Sequence, residues 1–247
     1  MLPLGLEGWQ AAFVALAVLG AAWVRGYSGF GFSALVIASA GLVTNPVALV
    51  PVLMMCEVTM TAGQARGLRG WVDWTRTRAM LLGAAVAMPF SLMLIARLGE
   101  DAARLAISLM VLAICIAMLR GWRFERAVGF AGHAAAGVAS GIANGAAAGG
   151  LPVAVFLAGQ DIDARAFRAT LIVYLCVICF AALPILWWEG VLVGQSFVTL
   201  AWFLPLMGAG LWLGGRRFQR SSPRDFRRFT LIVLSVLACV GIVRSLF

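Results

Sequence analysis

The chain contains no lysine: all 19 basic residues are arginine, set against only 10 acids and a single histidine, His133. Charged residues make up 12% of its 247 positions, too few to cover a water-soluble globule with polar surface. One histidine and scattered acids provide no metal-ligand cluster and no nucleophile, base and acid set, and no Walker sequence occurs. Neither an enzyme nor an ATP-driven pump is therefore expected from this chain alone, and no cofactor or metal. A membrane enzyme acting on a lipid would need acids and histidines gathered at an interface, and these are too sparse. The first eight residues carry Glu7 and no basic run, so the first apolar stretch reads as retained, not as a cleaved leader. Cysteine is sparse as well. Cys56, Cys115, Cys176, Cys179 and Cys239 all fall inside apolar runs, and Cys176 and Cys179, three apart with no acid or histidine beside them, read as helix core.

What the chain has is hydrophobicity, 63% of residues, with a mean hydropathy of +0.99. This implies an all-α integral membrane protein forming one transmembrane domain over residues 1–247. The formal charge of +9 does not indicate nucleic acid, because the arginines sit in short loops between apolar runs, where they orient a protein in a bilayer. Most of the nine tryptophans lie beside the ends of those runs, as an aromatic belt does.

Six runs have the length of single crossings, about Val47–Ala65, Ala79–Ala96, Leu105–Leu119, Phe167–Trp187, Ser196–Leu213 and Phe229–Leu246. Two others, Trp9–Val43 and Ala127–Ala158, are too long for one helix and are interrupted by glycine, at Arg25-Gly26-Tyr27-Ser28-Gly29-Phe30-Gly31 and at Ser140-Gly141-Ile142-Ala143-Asn144-Gly145. Straight, each would reach roughly 50 Å against a hydrocarbon core of about 30 Å.

Loop charge decides how these two are folded. Arginines cluster in 66–78, 120–126 and 214–228, which the positive-inside rule assigns to the cytoplasm. One crossing per interrupted stretch would place 66–78 and 214–228 on opposite faces. Two passes each put all three clusters on one face, with both termini on the other. The expected fold is thus two five-segment halves, about 9–120 and 127–247, each starting with a Gly-broken helical hairpin. An odd number of segments per half makes the repeat inverted, as in secondary transporters. In the second hairpin Gly137, Gly141, Gly145 and Gly149 recur every four residues, so Gly137 and Gly141 are expected to pack an arm, and Asn144-Gly145 and Gly149-Gly150-Leu151-Pro152 to supply the break and restart.

Broken helices free backbone groups that the bilayer tolerates only around a cavity, so the two breaks are the expected substrate site. Ser28, Gly29, Gly31, Asn144 and Gly145 are the positions whose N–H groups would face an anion at the start of a returning arm, unless they serve only turn and packing. Arg25 either pairs with that anion or is held by a headgroup or by Glu57. Glu57, deep in an apolar span, couples transport or gates the cavity, or else partners Arg25 or stays protonated. Arg165, Arg168 and His133 read as interfacial or packed.

Arg25 through Phe32, the run Ala166-Phe167-Arg168-Ala169-Thr170-Leu171, and Leu213-Gly214-Gly215-Arg216-Arg217-Phe218 through Asp225-Phe226-Arg227-Arg228 together resemble the sulfite exporter TauE/SafE family over nearly the whole chain. The resemblance implies an inner-membrane permease for sulfite, sulfoacetate or a similar sulfur anion, driven by an ion gradient of protons or sodium. A carboxylate permease and a non-transporting assembly subunit are the alternatives, and a homodimer is left open. Many relatives look like Gly-x-Gly-Gly-Pro at the second break, whereas this chain reads Asn144-Gly145-Ala146-Ala147-Ala148-Gly149-Gly150-Leu151-Pro152, a departure that bears on substrate and not on fold.

Overall fold

The computed structural model describes residues 6–64, 67, 68, 70–119 and 128–217, which are all-helical. The expected last span, Phe229–Leu246, and the loop 120–126 lie outside them. Nine helices follow in order among the described residues: α1 Gly8–Ser28, α2 Phe32–Ala40, α3 Pro46–Gln64, α4 Trp74–Arg97, α5 Glu100–Leu119, α6 Phe130–Asn144, α7 Gly150–Ala158, α8 Ala164–Trp188 and α9 Gly194–Arg217. Of these α1, α3, α4, α8 and α9 are long and apolar enough to cross a bilayer.

Helix ends reach past the apolar runs because charged residues cap them. Asp73 accepts from Arg76 N at 3.0 Å and starts α4 five residues before the apolar run, and Asp163 accepts from Arg165 N at 2.8 Å to start α8. The lipid-facing stripe is plain on α4, where Leu82, Val86, Phe90 and Leu94 recur every four residues and are all exposed. Trp9, Trp71, Trp74, Trp187 and Trp188, also exposed, sit at or beside helix ends, as an aromatic belt requires.

Both long apolar stretches are broken hairpins. Their returning arms, α2 and α7, have nine residues each, so at 1.5 Å per residue each covers about 14 Å, half a hydrocarbon core. Helix packing exchanges between the halves. α1 lies along α9 and α6 along α4, so each hairpin's first helix rests on the fourth helix of the other half; α3 packs on α8, third against third, and α3 on α9 mirrors α8 on α4. An inverted repeat would produce this exchange.

Glycine permits the two tightest of these contacts. A Cβ on Gly137 would lie on the Met80 carbonyl oxygen, and one on Gly141 would stand 2.8 Å from that of Ala84, so α6 and α4 touch backbone to backbone. On the opposite side Gly26 of α1 faces the Leu211 carbonyl of α9 in the same way, at 2.7 Å. Arg104, which the apolar pattern leaves in a loop, is buried at the start of α5. It donates to the Gly41 carbonyl at 2.9 Å and pairs with Glu100 at 2.6 Å and Asp101 at 2.8 Å, tying the end of α2 to α5.

Candidate functional site

The first break is made by glycine geometry. Gly29 and Gly31 take φ of 85° and 91°, left-handed values that a residue with a Cβ reaches only with strain, and the chain reverses between them. Gly29 N donates to Arg25 O at 2.7 Å and ends α1; Gly31 caps α2, and Leu35 N donates to its carbonyl at 3.0 Å. The donors of the first turn of α2 precede that bond and lie at the break.

The second break is built differently. Gly145 is right-handed at φ −56°, and the left-handed residue is Ala147, at φ 52°. Ala148 N donates to Ala143 O at 3.0 Å and Ala147 N to Asn144 O at 2.9 Å, the paired bonds of a Schellman ending whose usual glycine is here an alanine. Gly145 is spent on packing, since a Cβ there would stand 2.7 Å from the Ser91 carbonyl of α4. The Ser140 hydroxyl then donates to the Gly149 carbonyl at 2.6 Å and ties the outgoing arm to the start of α7.

These two breaks meet. A buried cavity of about 10 Å³ is lined by Gly31, Ser33 and Ala34 of the first, by Asn144 and residues 147–151 of the second, and by Met54, Glu57, Leu175 and Cys179 from α3 and α8 between them. The starts of both returning arms, α2 and α7, therefore border one space, where their dipoles present positive ends.

Glu57 is the buried acid of this cavity. Its Oε1 accepts from the Ser33 hydroxyl at 2.6 Å and its Oε2 pairs with Arg25 Nη1 at 2.6 Å. Arg25, fully buried, also donates to the Gly29 carbonyl and to Thr61 Oγ1, each at 3.3 Å. Of the alternatives open for Arg25, the structure shows the pair with Glu57. The Asn144 side chain is 1% exposed, and its Nδ2 has no hydrogen-bond partner in the described structure.

Of the residues expected at the site, Gly31, Asn144 and Glu57 come together at the cavity, and Arg25 joins them through Glu57. Gly29 and Gly145 do not line it: Gly29 abuts the Arg168 side chain, and Gly145 abuts α4. For Ser28 the structure describes the backbone only, at the end of α1. The sequence reading passed over Ser33, Ser140 and Ala147. A hydroxyl two residues beyond Gly31 was the available signal for Ser33; nothing in the sequence marked Ala147 as the left-handed residue. His133 is packed, with Nδ1 2.9 Å from the Gly129 carbonyl and its ring edge-on to Phe156.

Two broken hairpins whose half-helices converge on one small cavity that holds Ser33, Glu57 and Asn144, inside a bundle with five membrane-length helices among the described residues, are the architecture of a multi-pass membrane transporter. The chain belongs to the sulfite exporter TauE/SafE family, whose model matches residues 14–241. No curated protein and no solved structure matches it.

Proposed function

We propose that the chain is a secondary transporter of a small anion, a sulfur oxyanion or organosulfonate, and that the cavity between the breaks is its substrate site. The observation that carries this reading is the convergence of Gly31, Ser33, Asn144 and Gly150 on one space at the starts of two half-helices. The family's description as sulfite exporter supports the substrate class. Two helix N-termini and the Asn144 amide give hydrogen-bond donors suited to sulfite oxygens, while the Ser33 hydroxyl donates to Glu57. Arg25 offsets the Glu57 carboxylate, which would otherwise repel an anion.

A space of about 10 Å³ holds roughly one water and is smaller than sulfite, so this conformation is closed. Loading then requires the two hairpins to separate, and the short arms α2 and α7 are the parts able to tilt without unpacking a full crossing. Glu57 is the coupling candidate, because a proton or sodium ion arriving at its carboxylate would release Arg25 toward the substrate. The repeat is inverted, the membrane is the bacterial inner membrane, and loops 66–78, 120–126 and 214–228 face the cytoplasm with both termini opposite; loop charge supports this orientation.

Flux of radiolabelled sulfite into liposomes holding only the purified chain tests the proposal. Saturable uptake that follows an imposed proton or sodium gradient is expected. Absence of flux for sulfite, sulfoacetate and small carboxylates alike would reject it in favour of an assembly subunit.

A further inference from the structure

A second space opens at the start of α8. It has a volume of about 450 Å³ and is lined by Gln64, Gly67, Leu68, Trp71, Arg165, Arg168, Ala169 and Ile172 among the described residues. Unlike the closed cavity, it is of the size that accepts small ligands. Its floor is apolar, formed by buried Leu68, Ala169 and Ile172, and its charged groups among the described residues are the cations Arg165 and Arg168.

The two arginines are placed for different tasks. Arg165 is exposed, its guanidinium carbon 5.2 Å from the Trp71 ring centroid, and it has no ion-pair partner among the described residues. The neighbouring Asp163 carboxylate is occupied in capping α8, accepting from Arg165 N and Ala166 N. Arg168 is half-buried and reaches inward: its Nη2 donates to the Gly26 carbonyl at 2.9 Å, and its Cγ stands 2.8 Å from where a Gly29 Cβ would be. Arg168 thus spans from the open pocket to the first break, and Arg25, bonded to the Gly29 carbonyl, continues the line to Glu57 and the closed cavity.

We propose that this pocket is a second anion site, a vestibule that takes an oxyanion group from water on the Arg165 guanidinium fork, beside the positive charge of Arg168, before the anion passes to the breaks. Planar forks match the oxygens of a sulfite, sulfonate or phosphate group, and the apolar floor with Trp71 accepts a short organic remainder. The inference rests on the anion-transporter reading. The same oxyanion chemistry is carried by a phospholipid headgroup, so the test separates the two sources.

Equilibrium dialysis of radiolabelled sulfite against the purified full chain gives the number of sites. Two equivalents are expected for the wild type, one for Arg165→Gln and one for Asn144→Ala, each variant losing a different site. In liposomes Arg165→Gln is expected to raise the KM for sulfite at least fivefold with maximal flux retained, and Arg165→Lys, which keeps charge and loses the fork, to fall between. Two equivalents retained by Arg165→Gln, or one wild-type equivalent that only Asn144→Ala removes, would overturn the vestibule. One equivalent lost in Arg165→Gln and kept in Asn144→Ala would uphold the vestibule and reject the site between the breaks. If native mass spectrometry instead shows Arg165→Gln shedding co-purified phosphatidylglycerol while sulfite binding is unchanged, the pocket holds a headgroup and the vestibule is overturned.

Discussion

Arg25 Nη1 lies 2.6 Å from Glu57 Oε2, and the side chains are 0% and 3% exposed. Removing one partner of a sealed pair strands the other charge, at a cost of about 3–5 kcal/mol, whereas removing both is close to neutral. Single Arg25→Ala is therefore a poor probe of substrate binding, since it also uncovers a buried carboxylate. The informative comparison is Arg25→Gln and Glu57→Gln alone and together. Each single variant is expected to lower the thermal midpoint in detergent, with much of the loss recovered in the double variant. The recovered protein should still fail to transport. Wild-type sulfite flux from a well-folded double variant would confine the pair to a structural part.

Asn144 gives a cleaner separation of stability from binding. Its Nδ2 is buried at the cavity without a partner, so folding gains nothing from that donor and bears its desolvation. Asn144→Ala should leave the thermal midpoint unchanged or slightly higher and weaken sulfite binding tenfold or more, about 1.4 kcal/mol. Equal affinity in the variant would remove Asn144 from the substrate site.

The apolar pattern made most of the helices legible, because crossing a bilayer demands long runs of such residues and loop charge then sets the parity of crossings. Ends are less legible: the apolar run begins at about Ala79, and Asp73 captures the helix at Trp74, five residues sooner. At the first break the glycines that marked the turn also form it, at Gly29 and Gly31. At the second, Gly145 marked the turn while Ala147 makes it, since no Cβ fits between Gly145 and Ser91 on a helix far away in sequence. A contact across 54 positions leaves no local trace. Arg168 was hidden for the same reason: its partner, the Gly26 carbonyl, comes from the other half of the chain.

Close packing of α6 on α4 makes a sharp prediction about small changes. Gly137→Ala inserts a methyl group where the Met80 carbonyl oxygen already lies, so the helices must separate, at about 1–3 kcal/mol. Gly20→Ala on α1, where a Cβ meets nothing within 4 Å, should stabilise by up to about 1 kcal/mol through helix propensity alone. Opposite shifts in thermal midpoint are expected for the same chemical change. A shift of the same sign in both would mean that the α4 and α6 backbones do not touch.

Ala147 carries the left-handed turn of the second break at φ 52°, the single non-glycine residue with positive φ among those described. An alanine held there costs about 1–2 kcal/mol relative to its right-handed form, and glycine is nearly free of that cost. Ala147→Gly should therefore raise the thermal midpoint, although the added freedom of the unfolded chain returns part of the gain. Ala147→Val, whose branched side chain fits the left-handed region worst, should lower it. Because Ala147 lines the closed cavity, the same pair reports on opening. If the strain is part of what lets α7 tilt to admit an anion, relieving it deepens the closed state, and Ala147→Gly should be more stable yet slower in sulfite flux. A more stable variant with undiminished flux would show that the turn is only a helix ending, whereas a lower midpoint for Ala147→Gly would contradict the left-handed geometry itself.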